Sequence, residues 1–181
     1  AAHFFDTVTA VRSANPGIVI EVLVPDFLDR DQSLARVLEA RPAIFNHNLE
    51  TVRRLTPSVR SRSTYDRSLS VLAKAKAQGA SGMLTKSGIM LGLGEQEDEL
   101  KTALGDLRAV GCDILTLGQY LQPTPKHLPV LEFVPPARFE EYGRLAESMG
   151  FSHVASGPLV RSSYHADETL DQLRDAALAT E

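Results

Sequence analysis

Cysteine is almost absent from this chain of 181 residues, where Cys112 is the single one. One thiol excludes an internal disulfide and any metal centre built from several cysteines of this chain, and it favours a reduced, cytoplasmic setting. Tryptophan is missing, and aromatic residues reach only 6%. No apolar run approaches the roughly 18 residues that a membrane span needs. The start, Ala1-Ala2-His3-Phe4-Phe5-Asp6, reads as an amphipathic helix and not as a basic stretch followed by an apolar signal core. Positive charge is also short, with 19 Lys and Arg against 23 Asp and Glu, a formal net charge of -4. Nucleic-acid footprints are normally basic, so nucleic acid is set aside as a partner together with the membrane. The five histidines show no chelating spacing such as HExxH. What remains, 43% hydrophobic and 23% charged, is ordinary for one globular domain.

Five short runs rich in Val, Ile and Leu stand out, at residues 18–24, 43–45, 83–91, 113–117 and 153–156. Helical patterns occupy 5–13, 31–40, 67–78, 95–110 and 137–149. The fourth of these carries Leu100, Leu104, Leu107 and Val110 on one face at a 3.6-residue period. Its first turn is acidic, and Gly111 stands where a C-terminal cap belongs. Pro136 opens the next helix, whose buried stripe is expected to be Phe139, Tyr142, Leu145 and Met149. Strands that alternate with helices and lack a polar face predict an α/β fold with a parallel sheet covered by helices. Five strands fall short of the ~8 of a closed barrel. The sheet is therefore open or part of a barrel, and the helix pattern ahead of the first strand favours the later strands of a larger, TIM-like (β/α) barrel. On this reading residues 1–165 carry the barrel portion and 166–181 a C-terminal helical tail.

In such folds the ligand site lies at the carboxyl ends of the strands. Asp26 follows the first run; Asn46, His47, Asn48 and Glu50 follow the second; Lys86, Ser87, Gly92, Gly94 and Glu95 belong to the third. The fourth leads into Gln119, Tyr120 and Gln122, the fifth into Arg161-Ser162-Ser163-Tyr164. Polar groups thus converge on one rim. Each also has a plainer reading. Gly92-x-Gly94 alone is weak evidence for a phosphate cradle. Lys86 in an apolar strand is either a ligand-binding or catalytic group or a strand-end residue that snorkels to water. His47 between two asparagines reads as a hydrogen-bonded loop residue ahead of a general base, Asp26 as a turn cap, and Cys112 as a small buried apolar residue. Two hydroxyls, a guanidinium and a phenol in the four residues 161–164 are the strongest local signal, and by themselves suggest anion binding.

Five stretches together resemble one family. Phe45-Asn46-His47-Asn48-Leu49-Glu50, Thr85-Lys86-Ser87-Gly88, Gly92-Leu93-Gly94-Glu95, Leu117-Gly118-Gln119-Tyr120-Leu121-Gln122-Pro123 and Gly157-Pro158-Leu159-Val160-Arg161-Ser162-Ser163-Tyr164 closely resemble the lipoyl synthases, a family of radical S-adenosylmethionine (SAM) enzymes. The likeness runs from about Phe4 to Asp167 with the motifs in the family's order. Gly88 to Glu95 is also similar to the GxIxGxxE stretch by which radical SAM enzymes contact adenine, with Met90 in the Ile position.

The resemblance implies a radical SAM barrel and the insertion of two sulfur atoms at C6 and C8 of an octanoyl group on a carrier-protein lysine. It implies two [4Fe–4S] clusters, one that cleaves SAM and an auxiliary one that donates sulfur. Ser163 would ligate the auxiliary cluster, with Arg161 holding the motif or offsetting cluster charge. A serine oxygen grips cluster iron less firmly than thiolate. As neighbours in a strand, Ser162 and Ser163 would face opposite ways, so one of them alone would reach iron. Catalytic duty would fall to Ser163, Arg161 and Lys86, and SAM contacts to Asn46, Asn48, Glu50, Lys86, Ser87, Gly92, Glu95, Gln119 and Tyr120. Implied partners are octanoylated lipoyl-carrier domains (2-oxoacid dehydrogenase E2 subunits and the glycine-cleavage H protein), a ferredoxin- or flavodoxin-type electron donor, and an iron–sulfur carrier for cluster repair. Neither cysteine motif of the family stands in this chain. The expectation is therefore the C-terminal ~60% of such an enzyme, measured against a barrel of ~250 residues plus an extension, and inactive by itself. The alternatives are another radical SAM sulfur-inserting enzyme, of the biotin-synthase kind, or a non-catalytic module that docks lipoyl-carrier domains.

Overall fold

Each of the five apolar runs forms a strand, and all five lie parallel. The structure, a computed structural model, describes residues 1–163. The expected tail over 166–181 and Tyr164 lie outside these described residues. Strands β1 (Glu21–Leu23), β2 (Ile44–Asn46), β3 (Leu84–Leu91), β4 (Ile114–Gln119) and β5 (His153–Ser156) form one sheet in the order β1-β2-β3-β4-β5. The helices are α1 (Ala2–Ala14), α2 (Asp31–Leu38), α3 (Thr56–Val59), α4 (Tyr65–Gln78), α5 (Glu97–Ala109) and α6 (Pro136–Ser148). Strand order that follows chain order, with a helix in every crossover, is the wall of a β/α barrel.

Burial explains the pattern. All of β2 and β4 and most of β3 are buried, as strands covered on both sides must be. The outer strands are wetter: β5 is half-buried throughout, and Leu23 of β1 is exposed. The helices deliver the expected stripes. Leu100, Leu104 and Leu107 of α5 are buried with Ala103 added, while α6 buries Phe139, Tyr142, Gly143 and Ala146. Leu145 and Met149, expected in the α6 stripe, pack on the core only in part.

The helix ends are specified locally. Thr64 caps α4, its hydroxyl accepting the Arg67 N–H. Gln96 and Glu99 form a capping box that starts α5 at Glu97, two residues later than its acidic pattern suggests. That delay leaves Glu95 in the loop, which matters at the site. At the other end the N–H groups of Gly111 and Cys112 turn back to the carbonyls of Arg108 (2.9 Å) and Leu107 (3.0 Å), a Schellman closure. Cys112 is then fully buried and its thiol pKa is pushed up to about 12, chiefly by desolvation. It is an apolar filler, as its place after a helix cap suggested.

The edge and the middle of the sheet should respond differently to truncation. Leu115, fully buried in β4, should cost ~2–5 kcal/mol as Leu115→Ala. Leu23→Ala on exposed β1 should cost less than about 1 kcal/mol. Urea unfolding of the two variants checks the contrast.

Candidate functional site

The segment after β2 builds the centre of the rim. Beyond Asn46 the chain stays hydrogen-bonded to β3 without being regular strand. The His47 N–H donates to the Lys86 carbonyl (3.0 Å), Leu49 N–H to the Ser87 hydroxyl (3.0 Å), Glu50 N–H to the Gly88 carbonyl (2.9 Å), and Met90 N–H to the Glu50 carbonyl (2.9 Å). Glu50 adopts φ +71 to hold this register, a conformation costly for a residue with a side chain and typical of functional positions. Asn48 and Glu50 are thereby presented to a cavity of about 210 Å³ together with Thr116, Gln119, Arg161 and Ser162. This is smaller than the ~300–1,000 Å³ of a whole ligand site, so it suits part of a ligand, such as a sugar or an amino-acid head.

Its lining is rich in acceptors. Asn48 Oδ1 is buried without a hydrogen-bond partner, an arrangement that costs stability unless a ligand supplies the donor. Gly88 beside it is sterically required, since a Cβ there would stand 2.7 Å from Thr116 Oγ1 and 3.0 Å from Asn48 Oδ1. Burial pushes the Glu50 carboxyl pKa up, against the Asn48 side chain and Arg60, which favour the carboxylate. Asn48, Glu50 and Thr116 therefore call for hydroxyl or amino donors.

The far wall comes from β4 and residues 158–163. Gly118 permits the crossing: a Cβ there would sit 2.3 Å from the Val160 carbonyl oxygen. Arg161 folds over this segment, its Nη1 donating to the Val160 (2.7 Å) and Pro158 (3.4 Å) carbonyls. It holds the turn. β5 ends at Ser156, and residues 162 and 163 lie in a turn, so the strand alternation expected to separate Ser162 from Ser163 does not apply. Ser162 is half-buried and lines the cavity; Ser163 is exposed beside it.

Other expected residues make hydrogen bonds within the fold. The Glu95 carboxylate accepts the N–H groups of Gly92 (2.6 Å) and Leu93 (2.9 Å), closing its own loop. Tyr120 donates its hydroxyl to the Leu128 carbonyl (2.8 Å), and Gln119 fastens the following loop through Glu132 O (3.0 Å) and Val134 N–H (2.9 Å). Ser87 accepts from Leu49. Lys86 does not snorkel: it is 2% exposed, and its Nζ meets Glu21 Oε2 at 2.9 Å, while Asn46 Nδ2 donates to the other Glu21 oxygen at 2.7 Å. Asn46 Oδ1 is left without a partner. Glu21 was not among the sequence candidates, because its partner lies 65 residues away. Asp26 caps the Leu28 N–H (3.1 Å) and also receives Ser63 (2.6 Å) and Arg67 (2.6 Å).

His47 is fully engaged. Nδ1 meets the Val24 carbonyl at 2.8 Å and Nε2 the Ser68 hydroxyl at 3.0 Å, while Arg60 donates to that same hydroxyl at 2.8 Å. With Arg60 donating, Ser68 is set to donate to a neutral imidazole. Burial is the main cause that lowers the His47 pKa to about 4, Arg60 adding to it and the Val24 carbonyl and Asp26 opposing.

The radical SAM superfamily model matches residues 2–107. A lipoyl synthase of Bacillus thuringiensis (strain Al Hakam) is 55% identical over 176 residues, 97% of this chain and 58% of the relative. One of Chlorobaculum parvum is 52% identical over 167 residues, 92% of this chain and 56% of the relative. This chain thus spans under three-fifths of the length of these curated relatives. The crystal structure of methylornithine synthase (PylB) superposes with a TM-score of 0.62 at 16% identity, over 97% of this chain and 62% of that one. That last likeness concerns the fold alone, and it fits the partial barrel.

Two outcomes follow from the buried groups. The unfolded His47 takes up a proton near pH 6.5 and the folded one only near pH 4, so its contribution is fully present above pH 6.5. It falls by ~3 kcal/mol as pH drops toward 4. Asp26, held below its ordinary value by Ser63, Leu28 and Arg67, acts only at still lower pH. His47→Gln should remove this downward slope of the urea midpoint, leaving the opposite trend of Glu50, whose raised pKa stabilises the fold as pH falls through the same window. For the ion pair, Lys86→Met strands a carboxylate and should cost ~2–3 kcal/mol, under the ~3–5 kcal/mol of a fully buried pair because Glu21 keeps some solvent contact. Glu21→Gln with Lys86→Met should recover most of that loss in the same measurement.

Proposed function

This chain belongs to the radical SAM superfamily, and we propose that it forms the later strands and substrate-facing rim of a lipoyl synthase. The observation that carries this reading is the cavity shared by Asn48, Glu50, Thr116, Arg161 and Ser162, in a chain 50–55% identical to lipoyl synthases along most of its length. The reaction proposed is insertion of two sulfur atoms into a protein-bound octanoyl group.

The residues fit part of SAM. Its ribose hydroxyls and amino group are donors, and the cavity offers the unpaired Asn48 Oδ1, the Glu50 carboxyl and the Thr116 hydroxyl. When bound and cleaved, SAM supplies a carbon radical able to take hydrogen from an unactivated C–H bond. The chain's own part is to orient SAM through Asn48 and Glu50, and to exclude water from the base of the cavity with Ile89 and Val160. The Gly92–Glu95 loop and the Gln119 bridge keep that rim rigid. Lys86 stands one layer beneath, neutralising Glu21 and leaving the Asn46 oxygen available.

Neither iron–sulfur cluster fits the described residues. They hold no group of three or more His, Cys, Asp or Glu suited to a metal, and Cys112 is buried as a thiol. Any cluster cysteines must come from outside this chain, with Ser163 as the single hydroxyl offered from within. No helix among the described residues is long and apolar enough to cross a membrane.

In a polypeptide that joins this chain to the cysteine motifs, anaerobic turnover with an octanoylated carrier tests the reading. Ser163→Ala should leave 5′-deoxyadenosine formation detectable and reduce lipoyl product at least ~10-fold. Ser162→Ala should instead weaken SAM binding, because this hydroxyl lines the cavity. Lipoyl product at the parent rate in Ser163→Ala removes that residue from the reaction. Failure of the unaltered protein to make lipoyl product rejects the function.

A further inference from the structure

A second concave surface lies at the carboxyl end of β1, and the chemistry above does not use it. It is a groove of about 640 Å³ between two loops, one carrying Leu28 and Arg30, the other Val59, Arg60 and Arg62. Both loops are built for it. Phe27, Leu28 and Asp29 take φ of +51, +54 and +57 in succession, a left-handed turn of three non-glycine residues, which is strained backbone for residues with side chains. Asp26 holds that turn through the Leu28 N–H, and Arg67 joins the two loops by donating to Asp26 and to the Arg62 carbonyl (2.6 Å). The strained turn leaves Leu28 58% exposed at the groove's edge.

Charge gives the groove its character. The neighbouring acids are already matched: Asp26 with Arg67, Asp29 and Asp31 with Lys74, Glu21 with Lys86. Arg30 and Arg62 are exposed and form no ion pair among the described residues. Arg60 uses Nη1 on the Asn48 carbonyl (3.1 Å) and on Ser68, which leaves the rest of its guanidinium to the groove. On a chain of net charge -4, this is a local patch of positive charge flanked by Leu28 and Val59. A compact anion site would gather its donors around one buried point. Here the guanidinium groups stand on two loops beside the apolar side chains of Leu28 and Val59, which suits an extended acidic polypeptide surface. The groove also adjoins the cavity, because Arg60 in one binds the carbonyl of Asn48 in the other.

We propose that this groove docks an acidic surface of the protein that presents the acyl-lysine, with carboxylates on Arg30 and Arg62 and an apolar side chain against Leu28 and Val59. Docking there places the lysine arm beside Asn48, at the entrance to the cavity. The assignment rests on the proposed function for the identity of the substrate and goes beyond it in naming where and by what chemistry the carrier is held.

The test uses the longer polypeptide that carries both cysteine motifs, with Arg30→Glu and Arg62→Glu singly and together. Neither side chain holds a hydrogen bond within the described fold, so folding should be unaffected. The probes are an octanoylated carrier domain with an acidic surface, the same domain with its carboxylates changed to amides, and a short octanoyl-lysine peptide without acidic residues. The double reversal should raise Kd and KM for the acidic domain at least ~10-fold while kcat stays within twofold. Binding of the unaltered protein should weaken with added salt, and the neutral peptide should be unaffected by the variants. An unchanged Kd for the acidic domain overturns the proposal. So does an equal loss for the neutral peptide, which would assign the arginines to the cavity, or displacement by inorganic phosphate with no dependence on the carrier's carboxylates, which would mark a small-anion site. If no lipoyl product forms at all, the proposed function fails, and the Kd measurements still judge the docking surface by themselves.

Discussion

The rim depends on how residues 46–50 satisfy their backbone while buried. A loop that leaves a parallel sheet into the interior of a barrel carries N–H groups that water cannot reach, and each must find an acceptor. For His47, Leu49 and Glu50 the acceptors are on β3: the carbonyls of Lys86 and Gly88 and the hydroxyl of Ser87. The stitching extends β2 beyond its regular end and turns Asn48 and Glu50 toward the cavity. It also explains Ser87, whose hydroxyl is used up as a backbone acceptor, and Gly88, where any side chain would fill the space between Asn48 and Thr116. Glu50 pays for the register in backbone strain, as residues at binding sites often do.

Arg60 is the electrostatic counterpart of that stitching. Its Nη1 reaches the Asn48 carbonyl and the Ser68 hydroxyl, so it ties α4 to the rim. Its charge favours the Glu50 carboxylate and disfavours a charged His47. One cation thus opposes the effect of burial on Glu50 and reinforces it on His47. A neutral His47 can then act as a fixed strut between Val24 and Ser68, joining the end of β1 to α4. Burial pushes both groups toward neutrality; at Glu50 the Asn48 side chain and then Arg60 oppose it, while at His47 Arg60 adds to it.

The architecture was largely legible because its signals are local. Apolar runs of three to nine residues, helical stripes such as Leu100-Leu104-Leu107, and the Gly111 cap each report on their own segment, and each lies near its expected place. The site was legible as a set of strand ends but not as contacts. Lys86 was recognised as anomalous in an apolar strand, yet its partner Glu21 arrives from a strand 65 residues away. Glu95 matched a motif position, but the capping box at Gln96 leaves its carboxylate to close the Gly92–Leu93 turn. Arg60 carried no motif at all, since its importance comes from a carbonyl and a hydroxyl supplied by two other elements. Opposite facing of Ser162 and Ser163 requires extended chain, and β5 ends seven residues before Ser163.

The two concave surfaces differ in the sign of what they lack, and this difference sorts their ligands. The cavity is short of donors: Asn48 Oδ1 is unpaired, Thr116 and Glu50 offer oxygen, and Arg161 spends Nη1 on its own turn. A ligand group entering there gains most by bringing hydroxyls or an amine, because each removes the cost of a buried unpaired acceptor. The groove is short of acceptors, since every nearby carboxylate is already matched and two guanidinium groups are not. A surface entering there gains most by bringing carboxylates. Between the two stands the Arg60–Asn48 contact, a donor from the groove side meeting an acceptor from the cavity side. A small polyhydroxyl ligand and an acidic protein surface would therefore occupy adjoining sites without competing, which is what the proposed reaction, in which a small co-substrate acts on a protein-bound acyl chain, requires.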